Sequence, residues 1–317
     1  MTNAILRGKP DAGNPHVRFD EGEVASEKPR RGSLLYKRSC DRRGFLLGAV
    51  AAAFAGRGNA RTIAEQTPGV VRIAHCGDPQ FGFCRCKGGP EQAYRLDLGR
   101  FERTIDSVNR LKPDLCFVAG DMTNVGADVV RDWPRLVKLF KVPFVVTPGN
   151  HDMGERIVRK NVERFRQVFG YDYTSVKVGK WRFVSGNSQY WYPTEEKELK
   201  EAYETWLRQE LEEATTKKEP VIIGAHISPF MRRADEPNDS QNCPKDKRKK
   251  RFALYARSGV KFYLAGHIHR MMARAHDGIT YLNAETTCRN NDGLPFGFRL
   301  LTLRDDGTYS WDFNRIG

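Results

Sequence analysis

No apolar run in this 317-residue chain approaches the roughly 20 residues needed to cross a bilayer, which excludes a multi-span membrane protein. No internal repeat and no Gly/Ser-rich linker interrupts residues 68–317, so a single domain is the simplest organisation. Cys-x-x-Cys pairs are missing too; Cys84-Arg85-Cys86 has the wrong spacing for that metal or redox motif. Nor does any motif present a Ser or Cys nucleophile. What remains is an ordinary water-soluble composition. Hydrophobic residues make up 39% and aromatics 11%, enough for a sizeable core and incompatible with a collagen-like or mostly disordered chain.

Charge of one sign is in excess: 53 Lys and Arg stand against 39 Asp and Glu, a formal net charge of +14. Part of the excess is N-terminal. Residues 1–38 are polar and show no sustained period. Asp41-Arg42-Arg43-Gly44-Phe45-Leu46-Leu47 then leads into the short, mildly apolar segment Gly48–Ala55, and Gly58-Asn59-Ala60 offers small residues for cleavage. The paired Arg42 and Arg43 resemble a bacterial twin-arginine export signal, with Leu47 departing from the Lys common there. This reading predicts residues 1–60 as signal peptide and polar leader, recognised by the twin-arginine translocation machinery. The mature chain is then periplasmic or secreted, with no integral membrane segment.

Without Cys40, six cysteines remain: Cys76, Cys84, Cys86, Cys116, Cys243 and Cys288. An oxidising compartment favours some pairing, and the sequence leaves the connectivity open. Cys76 and Cys116 lie in apolar runs and read as buried thiols. The basic run Lys245-Asp246-Lys247-Arg248-Lys249-Lys250-Arg251 reads as a solvated loop leading into a helix; nucleic acid or another polyanion is its less favoured partner.

Along the mature part, strand-like runs alternate with helix-period segments. Strands are predicted at 70–76, 115–119, 142–147, 181–185, 221–225, 260–265 and 279–282, with a terminal hairpin around Asp306-Gly307. Helices are predicted at 95–111, 133–140, 155–169 and 195–214; in the first, Leu98, Phe101, Ile105, Val108 and Leu111 form one apolar face. The alternation argues for a layered α/β fold.

Five of the strands run directly into metal-ligand residue types. The first is followed by Gly77-Asp78-Pro79-Gln80, the second by Gly120-Asp121-Met122-Thr123-Asn124, and the third by Gly149-Asn150-His151-Asp152. The run 221–225 leads to His226, and 260–265 leads to Gly266-His267-Ile268-His269. Carboxyl ends of parallel strands share an edge, so the donors converge there. A lone Gly-Asp is an ordinary turn; five such endings in one chain are a pattern. His75 and His276 fall outside it and read as structural.

That order resembles the calcineurin-like metallophosphoesterase superfamily over residues 70–317. Gln80 departs from the usual Asp-x-His, and the Asp-Pro-Gln-Phe-Gly stretch, with Asn187-Ser188-Gln189, resembles a subgroup regarded as Ser/Thr phosphatases. The resemblance implies an α/β fold, a layered β-sandwich flanked by helices. It also implies two divalent or trivalent metal ions, Mn, Fe or Zn. Asp78, Gln80, Asp121 and His269 would hold the first; Asp121, Asn150, His226 and His267 the second, with Asp121 bridging. A hydroxide between the ions would attack a phosphomonoester, the substrate being a phosphorylated molecule with phosphoproteins among the candidates. His151 would stabilise charge or protonate the leaving oxygen, and Asp152 would orient His151. Loops 81–95 and 229–251 would set specificity. A phosphodiesterase or nuclease of the same superfamily is the alternative; a non-catalytic polyanion-binding protein is another.

Overall fold

The computed structural model describes residues 68–154 and 156–316. The leader expected at residues 1–60, with Cys40, Arg42 and Arg43, lies outside the described residues. No helix among the described residues is long and apolar enough to cross a membrane.

The chain runs β1 (Val70–Cys76), α1 (Gly89–Leu111), β2 (Leu115–Val118), α2 (Val129–Leu136), β3 (Phe144–Val146), α3 (Asn150–Met153), α4 (Arg159–Phe169), β4 (Thr174–Val178) and β5 (Trp181–Ser185). It continues through α5 (Lys197–Thr216), β6 (Val221–Gly224), α6 (Lys245–Arg257), β7 (Val260–Ala265), β8 (Met272–His276), β9 (Ile279–Asn283), β10 (Gly297–Arg304) and β11 (Tyr309–Arg315). One sheet has the order β11-β10-β1-β2-β3, the other β4-β5-β6-β7-β9-β8. Strands β1, β2 and β3 are parallel, as are β5, β6, β7 and β9.

Period-two alternation builds the layers. Val71, Ile73, Leu115, Phe117, Leu301 and Leu303 of the first sheet pack with Phe183, Ile222, Phe262, Leu264 and Leu282 of the second. Their neighbours in sequence face the other way. Ala74, Cys76, Cys116 and Val118 join Phe101, Ile105 and Val108 of α1, while Ile223 and Tyr263 join Tyr203, Leu207 and Leu211 of α5. Each fully buried large apolar side chain contributes roughly 1.5–3 kcal/mol. The result is the predicted β-sandwich with helices outside it.

Some details differ from the expectation. β4 and β8 lie at the two edges of the second sheet; charged Lys177 and Arg274 interrupt their hydrophobic pattern. α2 begins at Val129 rather than 133, with Pro134 inside its last turn. All six cysteines are unpaired. The Cys76 and Cys116 sulfurs sit buried 3.9 Å apart, far beyond a disulfide bond length.

The basic run is the larger correction. It is the start of α6, not a solvated loop. Arg248 is buried and donates to the carbonyls of Cys243, Ala234 and Glu236, at 2.7–3.2 Å. Arg251 is buried against Glu204, and Lys247 binds the Trp191 carbonyl. Arg248 thus fastens loop 229–244, while Arg251 and Lys247 tie α6 to Glu204 of α5 and to Trp191, which leaves these three cations unsuited to gripping a polyanion.

Candidate metal centre

The six strand-end ligand types come from both sheets: Asp78, Asp121 and Asn150 follow β1, β2 and β3, and His226, His267 and His269 follow β6 and β7. Asp121, His226 and His267 place ligand atoms within 4.8 Å of one another, and so do Asp78, Asp121 and His269. Asp121 belongs to both groups.

The histidines show how tightly donors are aimed. His226 Nδ1 lies 2.6 Å from the Ala119 carbonyl, so it carries the hydrogen. The free Nε2 then faces Asn150 Oδ1 at 3.0 Å, Asp121 Oδ2 at 3.3 Å and His267 Nδ1 at 3.1 Å. His267 spends its Nε2 on the Ser240 carbonyl at 3.2 Å, which frees Nδ1. His269 donates Nδ1–H to the Arg289 carbonyl at 2.8 Å and points Nε2 at Asp78 Oδ2, 3.0 Å away. All three imidazoles are thus locked by backbone carbonyls with the other nitrogen turned inward, as metal-binding histidines are.

Backbone geometry supports that aim. Gln80, Asp121, His267 and His269 have φ of 35°, 49°, 73° and 51°, four of the seven non-glycine residues with positive φ among the described residues. Such conformations cost of order 1–3 kcal/mol each and concentrate at functional sites. Glycines leave room for the carboxylates. A Cβ on Gly149 would lie 2.0 Å from Asp121 Oδ1, and one on Gly266 would lie 2.1 Å from Asp78 Oδ1.

Electrostatics point the same way. Burial penalises charge on Asp78 and Asp121, yet His226 with its neighbours holds both carboxyls below the usual range. Burial likewise opposes charge on His226 and His269, but the carboxylates raise them to about 9 and about 11. Burial and the adjacent His226 push His267 down to about 4. The cluster draws in positive charge, so cations binding there would displace protons. Oxygen and nitrogen donors in two groups sharing one carboxylate fit a pair of metal ions.

Gln80 is buried beside the first group; its backbone N–H donates to the Asp121 backbone carbonyl, and its side-chain Oε1 lies 4.0 Å from Cys288 Sγ. His151 sits at the rim of the cluster. Its amide donates to Asp121 Oδ1 at 2.9 Å, and its Nδ1 pairs with the Asn124 carbonyl at 2.9 Å.

Asp152 is not the partner of that ring. It is buried and accepts the amides of Gly149 at 2.8 Å and Met122 at 3.0 Å. Burial and Asp121 push it up to about 8, against two amides that favour its charged form. Its role here is to brace the two loops carrying Asn150 and Asp121.

His75 and His276 are structural. The first is buried, bonded to the Ala265 carbonyl and stacked on Phe117; the second packs against Phe252. Sequence reasoning missed the 286–291 turn, whose backbone seats His269, and missed Phe83 individually, although it lies in a loop flagged for specificity. No spacing signal marks that turn.

A family model described as calcineurin-like phosphoesterase matches residues 71–271. The chain belongs to that family. Its members are dinuclear metal-dependent phosphoric ester hydrolases, and this chain is such an enzyme. A curated relative, the serine/threonine-protein phosphatase CPPED1 of Rattus norvegicus, is 30% identical over 69% of this phosphoesterase and 74% of its own length. A 3′,5′-cyclic-nucleotide phosphodiesterase of Nostoc is 24% identical over 68% of this chain and 82% of its own. A dimetal phosphatase of Danio rerio shares the fold, with a TM-score of 0.54 and 13% identity over 78% of this chain and 96% of that one.

Proposed function

We propose that the enzyme is an exported phosphatase that hydrolyses phosphomonoesters, phosphoproteins among them. The observation carrying this reading is the pair of ligand groups that share Asp121, each with imidazoles locked by backbone carbonyls. Asp78, Gln80, Asp121 and His269 would hold one ion and Asp121, Asn150, His226 and His267 the other. When bound, two such ions activate water near neutral pH and neutralise phosphoryl oxygens. The Mn, Fe or Zn choice follows which metals the carboxylate-rich and imidazole donors favour.

The chain's own residues supply the rest. His151 stands beside the shared carboxylate with Nδ1 committed to the Asn124 carbonyl. Its Nε2 can therefore give a proton to the departing alkoxide, while the carbonyl steadies the imidazolium. Asp152 holds Met122 and Gly149, and through them the spacing between Asp121 and Asn150. The relatives named as Ser/Thr phosphatases support a monoester substrate. The phosphodiesterase relative supports the second reading, a diester.

Arg42 and Arg43 support export through the twin-arginine machinery to the periplasm or beyond. Replacing both by Lys should retain the protein in the cytoplasm on fractionation; continued export would remove this part of the proposal. For the chemistry, the test is elemental analysis with turnover of p-nitrophenyl phosphate and bis(p-nitrophenyl) phosphate in Mn²⁺. Two metals per chain and faster monoester turnover are expected, with loss of both in Asp121→Asn. Wild-type metal content and activity in that variant would overturn the ligand assignment, and a diester preference would overturn the substrate.

A further inference from the structure

Beside the metal groups stands a cation with no carboxylate partner among the described residues. The Arg289 guanidinium lies 5.6 Å above the Phe83 ring. That ring in turn stands 5.1 Å from the His269 ring and 6.1 Å from the His151 ring. Both residues are half-buried.

The ring and the cation are held from below. Asp97 is fully buried and accepts the amides of Gly82, Phe83 and Cys84 at 3.1, 3.0 and 3.0 Å. Arg100 donates to Asp97 at 2.9 Å and to the Cys288 carbonyl at 3.4 Å, which ties the Phe83 loop to the turn carrying Arg289. The Arg289 carbonyl takes hydrogen bonds from His269 Nδ1 and from Thr286 Oγ1, at 2.8 and 2.9 Å. Its backbone is therefore fixed while its head group is uncommitted. A guanidinium stacked on a ring keeps its in-plane N–H donors free.

Such a cation next to a site that gathers metal ions is repelled until an anion arrives between them. We propose that Arg289, carried on Phe83, clamps a terminal oxygen of the substrate phosphoryl group and so favours phosphomonoesters over diesters; this rests on the monoester reading above. A monoester has three terminal oxygens and a diester two. With two of them turned to the metal groups, only the monoester keeps one for Arg289.

The test uses the metal-loaded enzyme with Arg289→Ala and Arg289→Lys. Inorganic phosphate is the probe, followed by calorimetric binding and by competitive inhibition. Arg289→Ala should weaken phosphate binding and raise the monoester KM on the order of tenfold, the effect of one charge-assisted hydrogen bond. Metal content and the diester KM should stay at wild-type values, and Arg289→Lys should recover part of the loss. Unchanged phosphate affinity, an equal loss on both esters, or loss of metal would each overturn the clamp. Should the wild type prefer diesters, the monoester reading fails while phosphate affinity still decides the role of Arg289.

Discussion

Gly266→Ala separates geometry from chemistry at the metal centre, because it removes no donor. The added Cβ would lie 2.1 Å from Asp78 Oδ1, 2.9 Å from the Ala119 carbonyl oxygen and 3.2 Å from the Ala119 side chain. Two of the three neighbours belong to the close-packed end of β2 and cannot yield. The carboxylate must therefore retreat by about 1.3 Å or more to reach ordinary contact. Asp78 is fully buried, and both its oxygens accept the His267 amide at 3.0 Å. Retreat would break that bond and turn the carboxylate from His269. A misplacement of this size costs on the order of 10²-fold in rate. Asp78 belongs to the first metal group and not to the Asp121–His226–His267 group, so the first ion should be lost selectively. The assay is a Mn²⁺ titration with elemental analysis, beside kcat/KM on p-nitrophenyl phosphate. Gly99→Ala is the control: it lies in α1, with Arg103 Nη1 at 3.8 Å as its nearest neighbour. It should leave metal and rate unchanged and raise stability by up to about 1 kcal/mol. A folded Gly266→Ala enzyme with two metals and wild-type kcat/KM would refute the steric argument.

Two further variants probe the residues around the ions. Gln80→His should keep or raise activity and tighten metal binding at the first site, since imidazole is the stronger donor; large losses of both metal and turnover would reject this. Asp152→Asn should lower unfolding stability by about 1–3 kcal/mol, because one of the two oxygens that face the Met122 and Gly149 backbone amides would become an NH2 group. The shape of its kcat–pH profile should match wild type, and a displaced limb would restore an orienting role for Asp152 toward His151.

The sequence displayed the site's donors because each follows an apolar strand. Burial on both faces made β1, β5 and β7 legible to the residue as continuous apolar runs, and the donors come directly after strands of this kind. What it hid are contacts made by atoms without a side-chain signature. The carbonyls of Ala119, Ser240 and Arg289 decide which imidazole nitrogen faces the metal, and they come from three distant segments. Asp152 misled for a local reason. Adjacent residues on a helical turn point apart, and as the third residue of α3 it turns back to the Gly149 amide that caps the turn. The run 245–251 misled through its charge: residues three apart on α6 share a face, which sends Arg248 and Arg251 inward together.

The packing beneath the ligand turns lets the site be both strained and durable. Gln80, Asp121, His267 and His269 all occupy unfavourable backbone conformations, each of order 1–3 kcal/mol. They sit where the two sheets end, above the core formed by Phe117, Phe183, Ile222 and Leu264. Burial of four such side chains contributes an energy of the same order as the strain. Loosening that core should therefore relax the ligand turns before the chain unfolds. In Phe117→Ala, metal affinity should fall at temperatures where the circular dichroism of the sheets is still intact. Simultaneous loss of metal and sheet signal would show instead that the turns and the sandwich melt as one unit.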